Sequence, residues 1–180
     1  MHPLDDKIET LATRLGSAAT QTKNLLVTAE SCTGGLLAGT VTEVPGSSGW
    51  FEKGFVTYAT PSKTQLLGVR AELIEHYGVV SEQVAHAMAR GALAQSATAT
   101  MSVGITGYAG PSGGEPDKPV GTVCIGWGYR FNEHVVTLAR TVHIPGNRST
   151  VRRQSVVIAI EGLLEMMLRY GNPVAMPSEF

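Results

Sequence analysis

The chain has 180 residues, 43% of them hydrophobic and 16% charged, with a formal net charge of −1. That length suits one domain with a continuous core, and the near-neutral charge excludes a surface built for nucleic-acid backbone or anionic membrane while leaving room for a local phosphate pocket. Cys32 and Cys124 form no CxxC pair and read as reduced thiols. The N-terminus is acidic and periodic, and no apolar run reaches the roughly 20 residues of a membrane span, so a soluble cytoplasmic protein is expected.

Leu4, Ile8, Leu11 and Leu15 form one stripe of an opening helix. Residues 24–30 (NLLVTAE) predict an interior strand that runs into Ser31-Cys32-Thr33-Gly34-Gly35 and then a small-residue helix from Leu36 to about Thr42. Pro45-Gly46-Ser47-Ser48-Gly49 is a loop, and Phe51 to Ala59 a second strand. Pro61 opens a short helix through Lys63 to Leu67, and another spans Ala71 to His76 before Gly78. Ser81 caps a helix reaching about Ser96. Thr100 to Thr106 is a third strand, leading into the glycine-rich loop Gly107 to Gly114. Gly121 to Tyr129 and His134 to His143 pair antiparallel across a turn at Phe131-Asn132, a link too short for a crossover. The last helix runs from about Ser149 to Tyr170, with Val156, Ile160, Leu163, Leu164 and Met167 as its stripe and Gly171 and Pro173 as its stop. These elements predict a single α/β domain, a three-layer α/β/α sandwich with a mixed sheet and helices on both faces.

Three loops rich in glycine and hydroxyls stand out: after the first strand, before the second and after the third. Thr33-Gly34-Gly35 is either a tight turn for close helix packing or a cradle of N–H groups for an oxyanion or phosphate, with Glu30 just before it. The loop Gly107 to Gly114, with Gly107 and Gly110 in it, is either a flexible connection or a cradle of N–H groups for a sugar phosphate; it lacks GxxxxGK[ST], and no GxGxxG follows the first strand, so a P-loop or dinucleotide redox site is not expected. His2, His76, His86, His134 and His143 lack HxH or HExxH spacing, and no metal is expected. Lys63 is either a solvated helix lysine or, if buried, a neutral base. Arg148, Arg152 and Arg153 at the start of the last helix form either a solvated basic face or an anion site centred on Arg148.

Thr28 to Gly35 (TAESCTGG), Pro45 to Phe51 (PGSSGWF), Gly54 to Tyr58 (GFVTY) with Lys63, Gly68-Val69, Gly107 to Pro111 (GYAGP), Lys118 to Val123 (KPVGTV), Gly146-Asn147-Arg148 and Val151 to Gln154 (VRRQ) together resemble the CinA C-terminal (competence/damage-inducible) family. The resemblance implies one domain over residues 1–180, without the N-terminal molybdopterin-binding-like domain of longer members. It implies hydrolysis of the carboxamide of nicotinamide mononucleotide to the acid and ammonia, a step in pyridine nucleotide recycling, by a Ser-Lys dyad with no cofactor or metal. Ser48 matches the nucleophile and Lys63 its base, with Ser31 and Tyr58 as supporting hydroxyls. Ser31 is the other candidate nucleophile, since it sits where an oxyanion can be stabilised. Arg148 and Thr106 match substrate-binding positions, to which the surrounding Glu30, Thr33, Gly34, Gly35, Gly107 and Gly110 are added. A homodimer is expected, with a small nucleotide as the other partner and neither nucleic acid nor membrane. A cysteine amidase using Cys32, and a non-catalytic nucleotide-binding or competence-related interaction module, are the alternatives.

Overall fold

A computed structural model describes residues 2–170. Helix α1 (Asp5–Thr22) leads into β1 (Leu26–Glu30), α2 (Leu36–Thr42), a 3-10 turn at Ser47–Gly49 and β2 (Phe51–Val56). Helices α3 (Thr60–Leu67), α4 (Ala71–Tyr77) and α5 (Glu82–Ala94) precede β3 (Met101–Gly107). The hairpin β4 (Thr122–Phe131) and β5 (His134–His143) then leads to α6 (Arg148–Tyr170).

The five strands lie in the order β2-β1-β3-β4-β5. Strands β1, β2 and β3 are mutually parallel, and β4 is antiparallel to both β3 and β5. Every residue of β1 is buried, as its interior position requires. Helices α1, α2 and α6 cover one face around Leu15, Leu37, Ile160 and Leu163. Helices α3, α4 and α5 cover the other around Val27, Leu67, Val84 and Met88. This is the expected three-layer sandwich. Helix α5 presses directly on the sheet at Gly104 and Gly126, where an added Cβ would fall inside contact distance of the Ala85 carbonyl oxygen. Side chains at those two positions would lift the helix away and open the core.

Several boundaries move for local reasons. Asn24 stands outside β1, where its Oδ1 accepts a hydrogen bond from Thr100 Oγ1 at 2.7 Å. Strand β2 stops at Val56, three residues short of the expected end, because the chain turns off the sheet toward α3. Helix α5 ends at Ala94. Helix α6 begins at Arg148, preceded by Asn147, whose Oδ1 accepts from Thr150 N at 3.0 Å and caps the first turn. The expected stop at Gly171 and Pro173 lies outside the described residues. No helix among the described residues is long and apolar enough to cross a membrane.

The strand order fixes where a ligand can sit. From β1 the chain passes to β2 on one side, and from β2 it crosses to β3 on the other. The crevice outside the carboxyl ends of β1 and β3 is therefore a topological switch point, the usual ligand position in open α/β sheets. The carboxyl edge also receives the chain leaving β2 and β5 and the chain entering β4.

Candidate active site

Ser31 is the first residue beyond β1, and its N–H donates to the Ile105 carbonyl at 2.9 Å, which pins it at the switch point. The chain then folds back in a tight turn, with Gly34 N donating to Ser31 O at 3.0 Å. Gly34 and Gly35 take φ of +58° and +91°, a left-handed pair that a side chain would strain. Glu30, 1% exposed, turns its carboxylate back onto this turn and the start of α2. It accepts from Gly35 N at 3.1 Å, Leu37 N at 3.0 Å and Ala38 N at 2.8 Å. The buried charge is thus compensated by N–H groups that would otherwise lack partners.

Lys63 is fully buried, on the inward face of α3 together with Leu67. Its Nζ donates to Thr57 O at 2.7 Å and to Tyr58 O at 3.4 Å, and lies 3.0 Å from Ser31 Oγ. Among the described residues it forms no ion pair. Burial lowers its pKa from 10.5 to about 8, because the charged form loses water without gaining a carboxylate. The two carbonyls can take the two hydrogens of a neutral amine, which leaves its lone pair for the Ser31 hydroxyl. This arrangement can take a proton from serine as the serine attacks an electrophile.

A cavity of about 210 Å³ opens over this pair, bounded by Val79, Val80, Thr106, Ala109 and Gly110. Thr106 Oγ1 donates to Val79 O at 2.8 Å, so its lone pairs remain for a donor on a ligand. Arg148 spans the mouth, donating through Nη1 to Gly110 O at 2.7 Å and through Nη2 to Tyr58 Oη at 3.0 Å. Tyr58 is 60% exposed and forms part of the rim. A larger recess of about 390 Å³ lies between α1, α2 and Arg153, but it contains neither Ser31 nor Lys63. Among the described residues no group of three or more His, Cys, Asp or Glu side chains could hold a metal ion.

Of the residues singled out in the sequence, Ser31, Lys63, Tyr58, Thr106, Gly107, Gly110 and Arg148 line one cavity. Ser48 does not join them. It is exposed on the turn before β2, and parallel pairing of Leu26 with Phe51 puts that turn at the amino edge of the sheet. At about 3.3 Å per residue, roughly 13 Å of β1 separates the two edges. The pairing of Ser48 with Lys63 is thereby corrected: the serine within reach of the lysine is Ser31. Glu30 is corrected too, since its carboxylate is engaged with backbone N–H groups and supports the turn from behind. Thr33, Gly34 and Gly35 build that turn without lining the cavity. Thr57 was not anticipated, because it contributes a carbonyl, a group every residue carries.

The fold and the cavity define an α/β domain with a buried lysine and a serine facing each other at the switch point of a mixed sheet. The family model described as "CinA C-terminal domain" matches residues 8–167, and the chain belongs to that family. It is 48% identical over 161 residues to a nicotinamide-nucleotide amidohydrolase PncC of Pseudomonas putida, a match covering 89% of this chain and 98% of that protein. It is 41% identical over 165 residues to the nicotinamide-nucleotide amidohydrolase PncC of Escherichia coli, covering 92% and 98%. Among solved structures, the competence/damage inducible protein CihA from Agrobacterium tumefaciens superposes with a TM-score of 0.84 at 40% identity, covering 92% of this chain and 99% of that one.

Proposed function

We propose that this chain hydrolyses the carboxamide of nicotinamide mononucleotide to nicotinate mononucleotide and ammonia, with Ser31 as nucleophile and Lys63 as general base. The observation that carries the reading is the 3.0 Å approach of fully buried Lys63 Nζ to Ser31 Oγ inside the cavity. The names of the relatives supply the substrate.

The steps follow from the geometry. Ser31 Oγ attacks the carboxamide carbon as its proton passes to neutral Lys63. The turn that carries Ser31 and Cys32, both on the cavity wall, supplies the N–H donors for the tetrahedral oxyanion. The intermediate collapses as Lys63 returns the proton to the departing ammonia, leaving a Ser31 ester. Water, activated by the same amine, hydrolyses the ester to the acid. The cavity is smaller than the roughly 300–1,000 Å³ of drug-sized ligand sites. It takes the ring and ribose, with the phosphate at the mouth beside Arg148, where three of the five guanidinium hydrogens remain.

The test is ammonia release from nicotinamide mononucleotide by the purified chain, with stoichiometric formation of the acid. Saturable binding without ammonia would instead make the chain a binding module. Two substitutions check parts of the scheme. A charged hydrogen bond contributes about 1.5–3 kcal/mol, so Arg148→Ala is expected to raise KM for the mononucleotide about ten- to a hundredfold while changing KM for the riboside little. Cys32→Ala is expected to keep kcat within about threefold of wild type, because burial pushes the Cys32 thiol up to about 12 and leaves it protonated.

A further inference from the structure

We propose that Arg152 is a positioning residue for the hydrolysis, clamping the nucleophile turn through the Thr33 carbonyl; this rests on the assignment of Ser31 above. Arg152 lies one helical turn after Arg148 on α6, and its Nη2 donates to Thr33 O at 2.8 Å. The same nitrogen would stand 3.7 Å from a Cβ added at Gly34. One face of α6 thus sends two guanidinium groups to the site, Arg148 to the mouth and Arg152 to the turn behind the serine.

Satisfaction of the carbonyl does not explain the contact, because Thr33 O already accepts from Leu36 N at 3.1 Å. Nor does a carboxylate hold the guanidinium there. Arg153 pairs with Asp5 at 2.8 Å, whereas Arg152 forms no ion pair among the described residues. The guanidinium stands where negative charge developing beside the turn would be stabilised.

The clamp completes a three-sided hold on residues 31–35. Ser31 N is fixed to β3, Glu30 holds the N–H of Gly35 from within, and Arg152 holds the Thr33 carbonyl from α6. The peptide joining Thr33 to Gly34 cannot rotate without breaking the Arg152 bond. The turn that carries Ser31 is thereby held in one arrangement.

Arg152→Ala is expected to lower kcat about ten- to a hundredfold, the scale of a misplacement of about 1 Å, while KM for nicotinamide mononucleotide stays within about threefold. Guanidinium chloride at low millimolar concentration is expected to restore part of the kcat of Arg152→Ala and to leave wild type unchanged. Arg152→Lys, which keeps the charge and a single donor, is expected to fall between the two and to unfold at the wild-type temperature. An unchanged kcat, a loss confined to KM, or a loss that guanidinium fails to restore would each overturn the proposal. Wild-type turnover, measured first, tests the assignment of the reaction; the ratio of variant to wild type tests the clamp.

Discussion

Ser31→Ala is expected to reduce ammonia release by about 10³-fold or more, whereas Ser48→Ala stays within about twofold of wild type. The size of the first effect follows from removing a nucleophile that acts as a unit with its base. The smallness of the second follows from position, since Ser48 is exposed at the amino edge of the sheet and Ser31 lies beside Lys63 at the carboxyl edge. The pair is measured by steady-state kinetics on nicotinamide mononucleotide, with thermal unfolding to show that both variants are folded. Loss of turnover in Ser48→Ala with retention in Ser31→Ala would return the nucleophile to the turn before β2.

Lys63→Met is expected to abolish turnover to a similar extent and to make the protein more stable. With its pKa at about 8, Lys63 is mostly protonated at pH 7, and only the neutral amine can act as base. Wild-type kcat/KM should therefore rise with pH and reach half its plateau near pH 8. The stability effect has the sign of a depressed lysine. The unfolded chain keeps the proton up to about 10.5 and the folded chain only up to about 8, so folding stability rises with pH between those values. Below that window, burial of the charge costs about 3 kcal/mol at most. Lys63→Met removes this cost but leaves the Thr57 carbonyl without its donor, so a net gain of about 1–2 kcal/mol at pH 7 is expected, read as a rise of several degrees in Tm. A variant less stable than wild type at pH 7 would mean that the amine is held there as a well-compensated cation, unsuited to serve as a base.

The outline of the fold was legible in the sequence because the interior strands β1 and β3 are mostly apolar and the long helices α1 and α6 carry apolar stripes. The site was legible only in part. By its residue type Lys63 reads first as a solvated helix lysine, yet it stands four before Leu67, and both turn inward on α3. That spacing was the available signal. Ser48 was favoured by resemblance, although the order of elements already spoke against it. A residue just before a parallel strand and one just after its parallel neighbour lie at opposite edges of the sheet, so Ser48 and Ser31 cannot share a cavity within one chain. Other features required the third dimension. The fold-back of Glu30 depends on the left-handed pair at Gly34 and Gly35. The contacts of Arg148 with Tyr58 and Arg152 with Thr33 join residues 90 and 119 positions apart, beyond the reach of any local pattern.

The most direct test of the account is a crystal structure of the chain with nicotinate mononucleotide bound. The product carboxylate is expected within hydrogen-bond distance of Ser31 Oγ and Lys63 Nζ, with one oxygen on the N–H groups of the Ser31 turn and the phosphate on Arg148. A carboxylate seated beside Ser48, or a ligand in the crevice with its phosphate toward Lys63 and its ring outward, would contradict it.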